Sequence, residues 1–517
     1  MNNNRYYKNI ACLSIVAGIV TYTTQAQESA NSPAAFERMK TENLWSRSSN
    51  AGGILLDNPI QYSIFDVSYH SYGGKFHRPQ QGQEGNELYF SAEGGIALKK
   101  LYVWGNFEYR KENIREANFN SSIIDPYRGM PYYTADLNAS NWNNQFYNMQ
   151  FKAALSLSNS ISVGLDGIYK VAQAAKQRDP RTLNHFYSLE LKPGIVFSPA
   201  TAHRIGLNLE YCNLKENSSP SLVNVSDYQT YYELYGLGTA IENIGTGKVV
   251  NYVGDKVGGN LQYNYRKPAI NLLLSGGYSF RVEQAEFSFT TPEKFGTARE
   301  KEWNIRALLG LSGNIFSHHL QAVYTHAGID GIQYVKRNTT NQGWQVLHRY
   351  VRSTYQTETA SIDYTLTANR GKEYKWKTGA GVRYLKKNDA YLLPYSVKDA
   401  ENLLFSVNGK ALAFCSDKLS RRLLLGLEAG YNQNLSGIYS YTGNYAGYDM
   451  VTVLEHNDLN YLVSDFYFLE GNITYSQKIR EEDKANVYVK GSFSYRKTND
   501  FEFNHRSLLQ ISIGCNY

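Results

Sequence analysis

The chain ends on LLQISIGCNY, residues 508–517, in which Leu509, Ile511, Ile513, Cys515 and Tyr517 alternate with Leu508, Gln510, Ser512, Gly514 and Asn516. Successive side chains of a strand point to opposite faces, so one face here is apolar and ends on an aromatic. A β-barrel in a bilayer needs this pattern, because one face meets lipid while the other lines a wet lumen. Leu509, Ile511, Ile513 and Tyr517 also read as the terminal signal used by the outer-membrane barrel assembly machinery.

The same period of two recurs upstream. It runs through Leu88, Phe90, Ala92, Gly94, Ile96, Leu98, then Leu101, Val103, Gly105, Phe107, Tyr109, then Ile161, Val163, Leu165, Gly167, Tyr169. Later examples are Tyr374, Trp376, Thr378, Ala380, Val382, Tyr384 and Leu423, Leu425, Leu427, Ala429, Tyr431. Short links at Lys99–Lys100, Ser158–Ser160, Arg266–Pro268, Asn314–His318 and Asn369–Glu373 take turns with long ones near 112–144, 172–185, 216–256, 283–301, 328–353 and 432–460. One barrel end with tight turns and one with loops produces that asymmetry. The expected fold is therefore all-β: a transmembrane antiparallel up-and-down β-barrel of about 18 strands, with a short N-terminal plug or periplasmic segment. The runs near Leu320 and Ile362 alternate poorly, which leaves 16 or 14 strands open.

Composition agrees with that class. Mean hydropathy is −0.47 and no stretch supplies the roughly 20 apolar residues of a membrane-crossing helix. The 44 Tyr among 517 residues suit a membrane interface, where an apolar ring keeps its hydroxyl wet. A Tyr-rich soluble secreted β-protein is the competing class, and the terminal Tyr517 opposes it.

At the other end, Arg5 and Lys8 precede an apolar run from Ile10 to Val20, with Thr24 and Ala26 before a cut at Gln27. Residues 1–26 read as a leader, 27–59 as a plug or periplasmic segment, and 60–517 as the barrel. Losing two bases and no acid with the leader takes the formal charge from +7 to +5. An excess so small and unclustered points away from nucleic acid. Cys212, Cys415 and Cys515 form no metal or disulfide pattern, so no cofactor and no metal is expected.

Within the barrel, Tyr102, Trp104, Asn106, Glu108 and Arg110 share the inward face, as do Arg204, Asn208 and Glu210, with Asp166, Glu190, Asp363 and Glu428 on the same side. Mixed signs predict a salt-bridged, hydrated wall rather than a single-sign selectivity ring. Tyr132, Tyr133, Tyr231, Tyr232, Tyr235, Tyr439, Tyr441, Tyr445 and Tyr448 crowd the long loops, either as an exposed contact rim or packed into the mouth. Catalytic sets are absent from the pattern. His318 and His319 read as a polar turn, and His326 with Asp330 lacks a serine in a recognisable setting. An outer-membrane hydrolase with its site at the loop end is the alternative to a non-enzymatic barrel.

The segment from Asn43 to Gly53 with its Trp45 and Asn-Ala-Gly, the run Gly74, Lys75, Phe76, His77, Arg78, Pro79 with Gly82, and the triplet Asp179, Pro180, Arg181 together resemble an outer-membrane β-barrel family of the Bacteroidota that carries no assigned function. The resemblance covers essentially the whole mature chain and implies outer-membrane localisation and fold, with no substrate or catalytic residue attached. Relatives encoded beside TonB-dependent transporters and surface lipoproteins imply such a protein as partner, in a surface nutrient-uptake or export complex. Trp45, Asn50, Ala51, Gly52 and Gly53 also look loosely like the hatch of FadL-type channels, because glycines permit close backbone approach; a periplasmic tail on the barrel rim is the other reading. Asp179, Pro180 and Arg181 are expected to form a loop clasp, with Arg181 pairing to a neighbouring loop or wall acid.

Overall fold

A computed structural model describes residues 32–227, 229–288, 290–339, 343–416, 418–480, 484–499 and 504–517. The leader expected over 1–26 lies outside the described residues. Eighteen antiparallel strands form one sheet that closes on itself. The first, Tyr62–Gly73, pairs on one side with Glu84–Leu98 and on the other with the last, His505–Asn516. Tyr517 completes the seam by exchanging backbone hydrogen bonds with Ser63 at 2.8 and 3.1 Å. Closure satisfies every edge, which an open sheet in lipid could not do.

The large apolar residues lie on the outside. Leu209, Leu261 and Ile305 are each 60% exposed and Ile513 is 62% exposed. Around the loop side of this belt run paired aromatics, Tyr109 beside Tyr147, Tyr278 beside Trp303, and Phe405 beside Tyr431 and Tyr467. A second row near the turns includes Tyr263, Phe316, Tyr364, Trp376 and Tyr475. Between the two rows, the outward positions of the described strands carry no Asp, Glu, Lys or Arg. From Trp303 to Leu311 the belt runs for about 26 Å along the strand at roughly 3.3 Å per residue, the order of a barrel's ~25 Å apolar band.

The two poorly alternating runs are strands, Phe316–Thr339 and Gly343–Arg370, so the count is 18 and not 14 or 16. His318 and His319 sit inside the first of them, not in a turn, and face opposite ways. Three of the connections expected to be long are short. Lys176 and Arg181 are joined by four residues, Phe287 and Glu293 by a short link, and the 328–353 stretch is mostly strand. Beyond the belt both faces of these strands meet water, so the apolar period fades although the ladder continues. Tyr374 is the other correction. A register shift between Ala368 and Asn369 changes the parity there and turns its ring inward, where it is buried.

Loops 118–139, 229–249 and 441–465 fold back over the mouth. They contribute a small sheet, Thr239–Ile244, Thr230–Gly236 and Tyr133–Ala135.

Candidate functional site

The lumen near the tight turns is crossed by the amino-terminal segment. Pro at the first helical position and the Ser32 hydroxyl, accepting from the Ala35 amide at 3.2 Å, start a helix, Pro33–Glu42. Two 3₁₀ turns follow, Trp45–Arg47 and Ala51–Asp57. The segment touches the wall on all sides. Ala34 packs with Tyr374 and Leu424, Leu44 and Trp45 with Val196, Leu273 and Leu308, and Ala51 and Ile54 with Tyr102 and Ala154. These wall residues are inward positions that are apolar where the segment lies against them.

Asn50 organises the contact. Its side-chain amide donates to the carbonyls of Ile195 (3.1 Å) and Leu207 (3.2 Å) and to Gln262 Oε1 (3.0 Å), while its own Oδ1 accepts from the Gly52 amide at 3.0 Å. Facing it, the wall is stripped to glycine. A Cβ at Gly164 would come within 2.3 Å of the Gly52 nitrogen, and one at Gly194 within 2.2 Å of Asn50 Oδ1. The Trp45 indole N–H donates to Asn264 at 3.3 Å, and a Cβ at Gly53 would stand 2.0 Å from its ring. Trp45, Asn50, Ala51, Gly52 and Gly53 are thus brought together inside the lumen rather than at the rim. Sequence reasoning missed the matching wall glycines; their inward parity opposite a small-residue segment is the signal that could have found them.

Charges fix the segment's two ends differently. Burial would raise the Glu37 carboxyl, but Lys377 (2.8 Å) and Lys410 outweigh it and hold it down at about 2. Asp57 is pushed up to about 7, because burial dominates over its hydrogen bond from the Ser46 amide at 2.9 Å and over Arg266.

The loop end is closed by different means. Ile123, Met130, Tyr132, Tyr235, Val250, Tyr252, Phe287 and Phe295 form an apolar cluster, and Phe119, Ala135, Tyr232, Leu234, Met450 and Leu454 a second. Several loop tyrosines therefore fill the mouth. Arg128 pairs with Glu216 and, at 2.5 Å, with Glu283, both carboxylates buried. Arg78 chelates Asp458 at 2.6 and 3.0 Å, and Lys398 reaches the same carboxylate at 2.7 Å. Burial works against the ionised Asp458, and Lys398 and Arg78 reverse it, leaving the carboxyl well below the usual range.

Asp179 accepts from the amides of Val223 (3.0 Å) and Asn224 (2.9 Å) in the next loop. The Asn224 bond above all, joined by the Val223 bond and Arg181 and opposed by desolvation, lowers its carboxyl from the ordinary value. Arg181 reaches Asp179 itself at 3.2 Å, not an acid of another element, and the Pro180 carbonyl accepts from Lys176 at 3.2 Å. Leu509, Ile511 and Ile513 face outward and Tyr517 is half exposed. His326 meets Glu358 at 3.3 Å, whereas Asp330 is taken by Arg299 at 2.7 Å. Among the described residues no group of three metal-ligating side chains converges.

Between segment and lid lies a cavity of about 570 Å³ bounded by His70, Glu87, Glu108, Arg110, Phe146 and Asn148, with Arg128 of the lid above; its lining residues Lys170, Phe186 and Leu214 stand loopward of Gly164, Gly194 and Gly206 on the same strands.

The model of a family described as "Family of unknown function (DUF6850)" matches residues 51–517. No curated protein sequence matches the chain. Solved structures with a similar barrel include the ferric preacinetobactin receptor of Acinetobacter baumannii, 9% identical, covering 88% of this chain and 80% of that one at a TM-score of 0.41. The alcaligin outer membrane receptor of Bordetella pertussis is 9% identical over 88% of this chain and 76% of its own, TM-score 0.41. The outer membrane transporter YddB of Escherichia coli is 7% identical over 88% and 80%, TM-score 0.39.

Proposed function

The chain belongs to this family of unknown function, and from that premise we propose that it is an outer-membrane barrel acting as a gated channel, closed by residues 32–57 as a plug. The apolar belt with its two aromatic rows supports the bilayer setting. One observation carries the gating: the lumen is filled by a segment that adds no strand to the barrel sheet and is held to the wall by hydrogen bonds, ion pairs and small apolar clusters. Leu509, Ile511, Ile513 and Tyr517 serve in this reading as the signal for the assembly machinery. Single-channel recordings test it. The full chain should conduct poorly, and a variant that lacks residues 32–57 and carries Arg128→Ala to release the loops over the mouth should conduct well; no current from either defeats the channel.

A surface complex is the second reading, favoured by the hairpin of Phe316–Thr339 and Gly343–Arg370. Its tip leaves Trp344, Val346, Leu347 and Tyr350 exposed, on strands that continue past the belt. A TonB-dependent transporter or a surface lipoprotein is the partner we propose for that face. Co-purification after gentle solubilisation tests it, and a barrel that always emerges alone counts against it.

A further inference from the structure

The geometry points to a binding site for an uncharged polyhydroxylated ring, a mono- or disaccharide, in the cavity above the plug. The inference rests on the reading of the barrel as a gated channel and names what that channel holds. The cavity's size, about 570 Å³, falls inside the roughly 300–1,000 Å³ of small-molecule sites. Its walls are of two kinds. Phe146, Phe186 and Leu214 make one side apolar, and His70, Glu108 and Asn148 make the other polar.

Two buried polar atoms on that second side lack a partner. His70 Nδ1 lies 3.1 Å from Glu87, so its N–H donates there and Nε2 is left as an acceptor, buried and unmatched. The Asn148 amide nitrogen donates to Glu108 at 3.0 Å, which leaves its buried Oδ1 unmatched as well. Buried polar groups are nearly always paired, so two orphaned acceptors on one wall ask for a ligand that brings donors.

Charge narrows the ligand. The cavity wall carries both signs, Arg110 lying 3.7 Å from Glu87, Arg281 2.7 Å from Glu300 and Arg128 2.5 Å from Glu283, with Glu108, Asp125 and Lys170 also on its lining. Arg110, Arg128 and Arg281 disfavour an ammonium group, and Glu87 and Glu108 disfavour a carboxylate or phosphate. Hydroxyls remain as the donors. Phe146, oriented by the Arg110 guanidinium 4.1 Å from its ring, offers the apolar side a C–H face can pack on.

The test is calorimetric titration of the full chain in detergent with D-glucose, N-acetylglucosamine and cellobiose, alongside benzoate and benzylamine as charged controls. Saturable binding of at least one saccharide is expected, weakened about tenfold or more by Asn148→Leu and by Phe146→Ala, with neither control binding. Retention of folded-barrel migration on gels qualifies each variant, and His70→Ala serves if one misfolds. No saccharide binding, or binding indifferent to the qualified variants, overturns the proposal. Current through the plug-deleted barrel without sugar binding would sink this site alone; sugar binding sensitive to the variants without any current would sink the gate alone.

Discussion

The two ends of the lumen are filled by different mixtures of the same contacts, ion pairs half exposed at one end and buried at the other. On the turn side the plug meets the wall through three small apolar clusters, glycine contacts, the Asn50 amide and ion pairs of moderate exposure, with Glu37 and Lys377 side chains 32% and 28% exposed. On the loop side the lid buries aromatic clusters and pairs Arg128 with carboxylates that are 0% and 1% exposed. Water can replace the plug's half-exposed ion pairs one at a time, whereas breaking the lid's pairs leaves unpaired charge in a dry place. On the gating proposal the plug is the end that moves and the lid the end that stays.

The largest effect should come from attacking the lid. Arg128→Ala strands Glu216 and Glu283, and removing one partner of a buried ion pair costs about 3–5 kcal/mol. Limited proteolysis of folded protein should then cleave within 118–139, where the native chain resists; unchanged resistance would mean that the lid is not held by Arg128. On the plug side, Gly164→Val pushes a side chain into the Gly52 backbone, and overpacking of this kind costs about 1–3 kcal/mol. Segment 32–57 should become accessible to protease from the turn side while the lid stays protected. Asn50→Ala removes three bonds to the wall and leaves Gln262 and two carbonyls short of a donor, at about 1–3 kcal/mol. Its effect should match or fall below that of Gly164→Val; lid opening in either variant would erase the distinction between the ends.

How legible these ends were in the sequence follows the same division. Trp45, Asn50 and the glycines after them stand out because a local run of small residues carries the plug's chemistry. The wall's alternation is legible wherever lipid faces one side, as from Leu423 to Tyr431. Where water bathes both sides the period disappears, and 328–353 reads as loop although 328–339 and 343–353 are ladder. Tyr374 escaped because one extra residue in a bulge inverts every later face. The lid was the least legible part: Arg78 and Asp458 are 380 residues apart, and no local spacing announces their pairing.

The smallest expected effect is a pH dependence of plug docking. Asp57, at about 7 when docked against an ordinary 3.8, favours docking most below pH 4 and loses that contribution as the pH rises to about 7. Glu37, at about 2 against an ordinary 4.5, contributes fully above pH 4.5 and loses its contribution as the pH falls towards 2. Asp57→Asn should flatten the change in protease accessibility between pH 4 and 7, and Glu37→Gln the change below 4.5. If both variants follow the native curve, the charges at the plug's ends play no part in holding it.

The account stands on residues 32–57 occupying the lumen. Ala34 and Leu424 are both fully buried in one cluster, so cysteines at these two positions, with Cys212, Cys415 and Cys515 changed to serine, should be joined by a short bis-thiol reagent in intact outer membranes. Efficient joining, together with slow labelling of either site by a bulky maleimide, is the result expected. Rapid maleimide labelling of residue 34 with no joining to 424 would place the segment outside the barrel and contradict the gate.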